Sequence, residues 1–113
     1  MSSVGKQVFF YGMKANRALQ RSVEKKVEGW IAREQSVLFA PMDSSYFVRI
    51  EKEPGRPFVL CHLRVQIGPR IWESYESGKT PEAALLQAVQ HLRSAWVLAL
   101  PHLFHFERVQ GAA

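Results

Sequence analysis

YFVRIEKEPGRPFVLCHLRVQIGPRIWESYES, residues 46–77, is the stretch from which the fold can be read. In Tyr46 to Lys52, Tyr46, Val48 and Ile50 alternate with Phe47, Arg49 and Glu51, the period of a strand with one face in a core. The alternation returns from Phe58 to Ile67, directing Val59, Cys61, Leu63, Val65 and Ile67 inward and His62, Arg64 and Gln66 away. Between these runs, Glu53-Pro54-Gly55-Arg56-Pro57 is dense in turn residues, and Gly68-Pro69 makes a second turn before the strand pattern Arg70 to Ser77. Three strands joined by such short turns form an antiparallel meander.

Upstream, Lys6 to Tyr11 is an aromatic and β-branched run ended by Gly12, which predicts a further strand. Met13 to Gln35 then has helical periodicity, with Leu19, Val23, Val27, Trp30 and Ile31 sharing one face. Ser36 to Ser44 reads as a connection. Downstream, Thr80-Pro81-Glu82 is a helix start: Thr caps, Pro suits the first helical position, and Glu favours the positive end of the dipole. Leu85, Val89, Leu92 and Trp96 form the predicted buried stripe of that helix, and Pro101 is its expected end. The order β-α-β-β-β-α predicts an α+β fold: a four-stranded sheet whose two helices bury their stripes on one face.

The chain of 113 residues, 47% hydrophobic and 22% charged, fits a single domain, with a core over about residues 6–100 and an apolar tail over 101–113. No segment reaches the roughly 20 apolar residues of a membrane span. The N-terminus lacks a signal peptide's apolar run, and the lone Cys61 cannot form an intramolecular disulfide, so a reducing cytoplasm is the expected compartment.

Charge is unevenly spread. Residues 1–40 hold seven Lys/Arg against three Glu, whereas 41–79 hold six against five acids and 80–113 two against two. On the predicted first helix, Lys14, Arg17, Arg21 and Lys25 recur at steps of three, four and four, a basic stripe suited to a phosphate backbone. Arg49, Arg64, Arg70 and Lys79 can add charge on the open sheet face or its turns, and Phe47 beside Arg49 could stack on an unpaired base.

The chemistry of catalysis is not spelled out in the chain. There is no Gly-rich phosphate loop, no G-x-S-x-G elbow and no His-Glu-x-x-His helix, and Glu73 and Glu76, three apart on a strand, point to opposite faces. Cys61 with His62, and His102 with His105, lack the partners of a metal site. No catalytic residue, metal or cofactor is expected, and the function is one of binding.

With this order and spacing, the stretch Val8 to Trp96 resembles the ribosome hibernation promoting factors, also called ribosome-associated inhibitors or sigma-54 modulation proteins. The resemblance rests on Ala18-Leu19 within Lys14 to Trp30, on the paired runs Phe47 to Lys52 and Phe58 to Ile67, and on Tyr75 to Leu92 (YESGKTPEAALLQAVQHL), a polar turn followed by a paired-alanine helix start. It implies a bacterial cytoplasmic protein that binds the small ribosomal subunit near the sites of messenger and transfer RNA and inhibits translation under stress. In that family the second helix continues into a lysine- and arginine-rich run facing ribosomal RNA. Here residues 90–100 offer Arg93 alone. Double-stranded RNA-binding domains share the helix, three strands, helix order but carry a lysine cluster where this chain has Thr80-Pro81-Glu82-Ala83-Ala84.

RNA of the small subunit, or other structured RNA, is thus the expected partner, met by Lys14, Arg17, Arg21, Lys25, Arg49, Arg64 and Arg93. The apolar residues Leu98, Leu100, Leu103, Phe104 and Phe106 support a rival expectation: the same scaffold as a protein interaction module, dimerising or docking through its tail.

Overall fold

The computed structural model describes residues 4–37 and 42–96. Strand β1 (Val4–Tyr11) leads into helix α1 (Arg17–Gln35), followed by β2 (Ser44–Lys52), β3 (Val59–Ile67), β4 (Arg70–Gly78), helix α2 (Pro81–Gln90) and β5 (Arg93–Trp96). The five strands form one sheet in the order β1-β2-β3-β4-β5. β1 runs parallel to β2, as a helical crossover permits, from Val4 opposite Ser44 to Tyr11 opposite Glu51. The other neighbours are antiparallel.

The alternation of residues 46–67 is expressed almost without exception. Tyr46, Val48, Ile50, Val59, Cys61, Leu63, Val65 and Ile67 are all buried. Val23, Val27 and Ile31 of α1 and Ala84, Leu85 and Ala88 of α2 complete the core on that face, with Trp30 set edge-on to Trp72 at 5.2 Å. Alanines in α2 let the helix approach closely, and Ser74 Oγ donates to the Ala88 carbonyl at 2.6 Å, fixing β4 beneath it. The Tyr46 hydroxyl donates to Glu28 Oε2 at 2.6 Å, fixing α1 over β2.

Gly68 and Gly12 stand where the geometry requires glycine. Gly68, at φ 56°, is the first of two turn residues between Ile67 and Arg70, with Pro69 second, the primed pattern that matches hairpin twist. Gly12, at φ 73°, ends β1 so close to β2 that a Cβ would sit 1.9 Å from the Lys52 carbonyl oxygen.

Three expectations need correction. The sheet has five strands, not four. The second helix ends at Gln90, with His91 as its cap, so Trp96 belongs to β5 and not to a helical stripe. The cause is non-local: Arg70 to Glu73 would otherwise leave an unpaired edge, and residues 93–96 pair with it. Finally, Lys14 precedes the first helix. Asn16, extended at φ −132°, caps it, accepting from Leu19 N at 2.7 Å, so the helix begins at Arg17. The tail residues Leu98, Leu100, Leu103, Phe104 and Phe106 lie outside the described residues.

Candidate nucleic-acid interface

Helix α1 carries its cations on two different flanks. At about 100° per residue, Arg17, Arg21, Glu24 and Glu28 fall within about 60° of one another, a flank of mixed sign. Lys6 of β1 reaches it, with Nζ 3.5 Å from Glu24 and 3.9 Å from Glu28. Arg17 stands in a first turn that contains no acid, where a cation opposes the helix dipole, so the helix itself gains nothing from it.

The flank that turns toward α2 is different. Lys25, Lys26 and Arg33 line a groove of about 570 Å³ between the helices, closed on the other side by Leu86, Val89 and Gln90. No carboxylate lines it. Gly29, whose absent side chain would meet nothing within 4 Å, leaves its floor open. An apolar wall with three cations on one rim and no internal anion is a surface that attracts a phosphate chain.

Of the cations singled out in sequence, Lys14, Arg17, Arg21 and Lys25 are all exposed, but only Lys25 enters the groove. Lys26 and Arg33 were missed. Their signal was present: Ser22, Lys26, Gly29 and Arg33 recur at steps of four, three and four, a second stripe that only the position of α2 makes distinctive. α2 itself contains neither Lys nor Arg.

Arg49, Arg64 and Arg93 lie elsewhere, on the sheet face turned away from both helices. Arg64 of β3 stands opposite Glu73 of β4, which stands opposite Arg93 of β5. Arg49 donates to Glu51 Oε1 at 2.8 Å and lies 4.9 Å from the Tyr11 ring. His62 Nε2 is 2.7 Å from Glu73 Oε2, and its ring stacks on Tyr75 at 4.1 Å and 13°. Desolvation raises the pKa of the Tyr75 phenol, helped by the adjacent Glu73 carboxylate and opposed by Arg64. Glu76 points to the helix side, 3.2 Å from His91 Nδ1, so the two glutamates do face oppositely.

Among the described residues, no three of His, Cys, Asp and Glu gather as metal ligands, and no helix is long and apolar enough to cross a membrane. No protein-family model matches the chain. No curated protein matches it in sequence. Among solved structures, the chain is similar to the N-terminal domain of Protein Y from Thermus thermophilus, with a TM-score of 0.61 at 19% identity, over 80% of this chain and 89% of that one. At that identity the likeness is one of fold.

Proposed function

We propose that this protein is a cytoplasmic, ribosome-associated inhibitor of translation, of the hibernation type, that binds small-subunit RNA through the cations of α1. The observation that carries the reading is the groove in which Lys25, Lys26 and Arg33 meet no lining carboxylate. The fold shared with the Protein Y domain and the resemblance of residues 8–96 to hibernation factors support it. Lys14, Arg17 and Arg21 extend the positive field toward the start of α1. The apparent loss of basic charge from the second helix is then partly offset, because α1 lends its own lysines to the space between the helices.

The test is co-sedimentation with small ribosomal subunits at low salt. Binding should weaken with salt at a log-log slope of roughly 0.7–0.9 per phosphate neutralised. A Lys26→Glu, Arg33→Glu double variant should lose at least about tenfold in affinity, since each phosphate contact is replaced by repulsion. A folded double variant that sediments with the subunit as the wild type does would remove the groove from the assignment. If Arg17→Glu, Arg21→Glu is also without effect, the RNA reading through α1 fails.

The absence of Lys and Arg from α2 favours a second reading, in which the scaffold serves protein contacts through the apolar segment that follows β5. Wild-type protein that ignores the subunit at low salt but self-associates would select it.

A further inference from the structure

The sheet face turned away from the helices carries a continuous row of rings drawn from four strands. Tyr11 and Phe9 of β1 are 6.4 Å apart, Phe9 is 5.7 Å from Phe47 of β2, Phe47 is 5.3 Å from His62 of β3, and His62 is 4.1 Å from Tyr75 of β4. Tyr75 is 68% exposed, Tyr11 47% and Phe9 40%. A hydrophobic ring left in water on an outer strand face contributes nothing to the core.

We propose that this face is a stacking platform for the unpaired bases of a single-stranded nucleic acid, separate from the groove between the helices. Three features fit that occupant, and the response to single-stranded oligonucleotide tests it against a protein. First, the exposed large apolar groups of this face are rings, with Leu60 the one aliphatic among its described residues. Every base has a π face, so a row of rings accepts bases with little regard to sequence.

Second, cations are interleaved with the rings: Arg49 beside Tyr11, and Arg64 and Arg93 in the registers flanking Glu73. The carboxylates at this site are already engaged, Glu51 by Arg49, Glu73 by His62 and Tyr75, and Glu76 by His91. Third, the row borders a depression of about 520 Å³ lined by Arg49, Glu51, Leu60, His62, Tyr75 and Ser77, with Cys61 and Glu76 also reaching it, which offers a donor, acceptors and a hydroxyl around an aromatic wall. Those are the groups that meet the edge of a base while its face is stacked.

The experiment is fluorescence anisotropy with a labelled oligouridylate of about 12 nucleotides, a length within the site sizes of single-strand binders. Tyr75→Ala, at a position exposed enough to leave folding intact, should weaken binding about tenfold or more, as loss of one stacked base does. Tyr75→Phe keeps the ring and should stay within about twofold of wild type, and Tyr11→Ala should reproduce the loss. A duplex of the same length should be insensitive to all three.

Unchanged oligouridylate affinity in folded Tyr75→Ala and Tyr11→Ala proteins overturns the proposal, as does a loss in which Tyr75→Phe and Tyr75→Ala are equal. The Lys26→Glu, Arg33→Glu variant separates the two sites. If it loses the ribosomal subunit yet keeps a Tyr75-dependent oligouridylate affinity, both assignments stand. If it keeps the subunit while Tyr75→Ala loses the oligonucleotide, the groove is wrong and the platform right.

Discussion

Cys61 sits in the middle of β3 with 2% of its surface exposed, and burial pushes its thiol from 9.0 up to about 12. Tyr46 moves in the same direction, because burial and then the hydrogen bond and charge of Glu28 disfavour its phenolate. For both groups the folded chain holds the proton more tightly than the unfolded chain. The stability tied to those protons is therefore complete below the unfolded pKa and is lost as pH rises toward the folded one. The unfolding free energy from urea titrations should hold up to about pH 9 and then fall, by up to about 1.4 kcal/mol per pH unit for each group between its unfolded and folded pKa. Cys61→Ala should start from lower stability but show a shallower alkaline slope, Tyr46, with a smaller share from the exposed Tyr75, supplying what remains; an unchanged slope would mean that the thiol is not held neutral. At this scale much was legible in the sequence. The inward direction of Cys61 and Tyr46 follows from period-two alternation alone, whereas the ring row did not, because alternation says which face a residue takes but not which residues of other strands stand beside it.

The two helices differ in how openly their ends are written. Thr80 accepts from Ala83 N at 3.0 Å ahead of Pro81 and Glu82, as its sequence predicts. Asn16 does the same for α1 with no acid in the first turn to help it, so that cap alone satisfies the start against the charge of Arg17. Asn16→Ala should cost about 1 kcal/mol by chemical denaturation, and Asn16→Asp should cost little or stabilise slightly through the dipole. Equal losses in the two variants would mean that the cap does not hold this end. The cap residue itself was legible. The basic spacing from Lys14 onward continues smoothly across it, but charge spacing carries no information about where a helix begins. The end of α2 was not legible: Gln90-His91-Leu92 contains neither Gly nor Pro, and the chain turns extended at Arg93 because the edge of β4 is there to be paired.

Taken whole, the molecule is two-sided: helices and a cationic groove on one side of a five-stranded sheet, rings and interleaved arginines on the other. β5 forms one edge, and the sequence beyond it carries Leu98, Leu100, Leu103, Phe104 and Phe106, residues outside the described structure whose composition alone supports an argument. Removing one large apolar side chain from water contributes roughly 1.5–3 kcal/mol, so five within nine residues favour burial strongly. The described core is already closed by α1 and α2 on its helix side. Two copies related by a two-fold axis could bury these segments against each other, the simplest closed arrangement for a self-complementary patch. Sedimentation equilibrium at tens of micromolar should then show a dimer that Leu103→Ser, Phe104→Ser converts to monomer with the ellipticity of the folded domain retained. A monomeric wild type at that concentration would end the dimer expectation and assign the segment to its own chain or to another partner. Because the substituted residues belong to neither the groove nor the ring row, the same variant should still bind the small subunit and oligouridylate. A monomer that had lost both would show instead that dimerisation assembles the RNA surface.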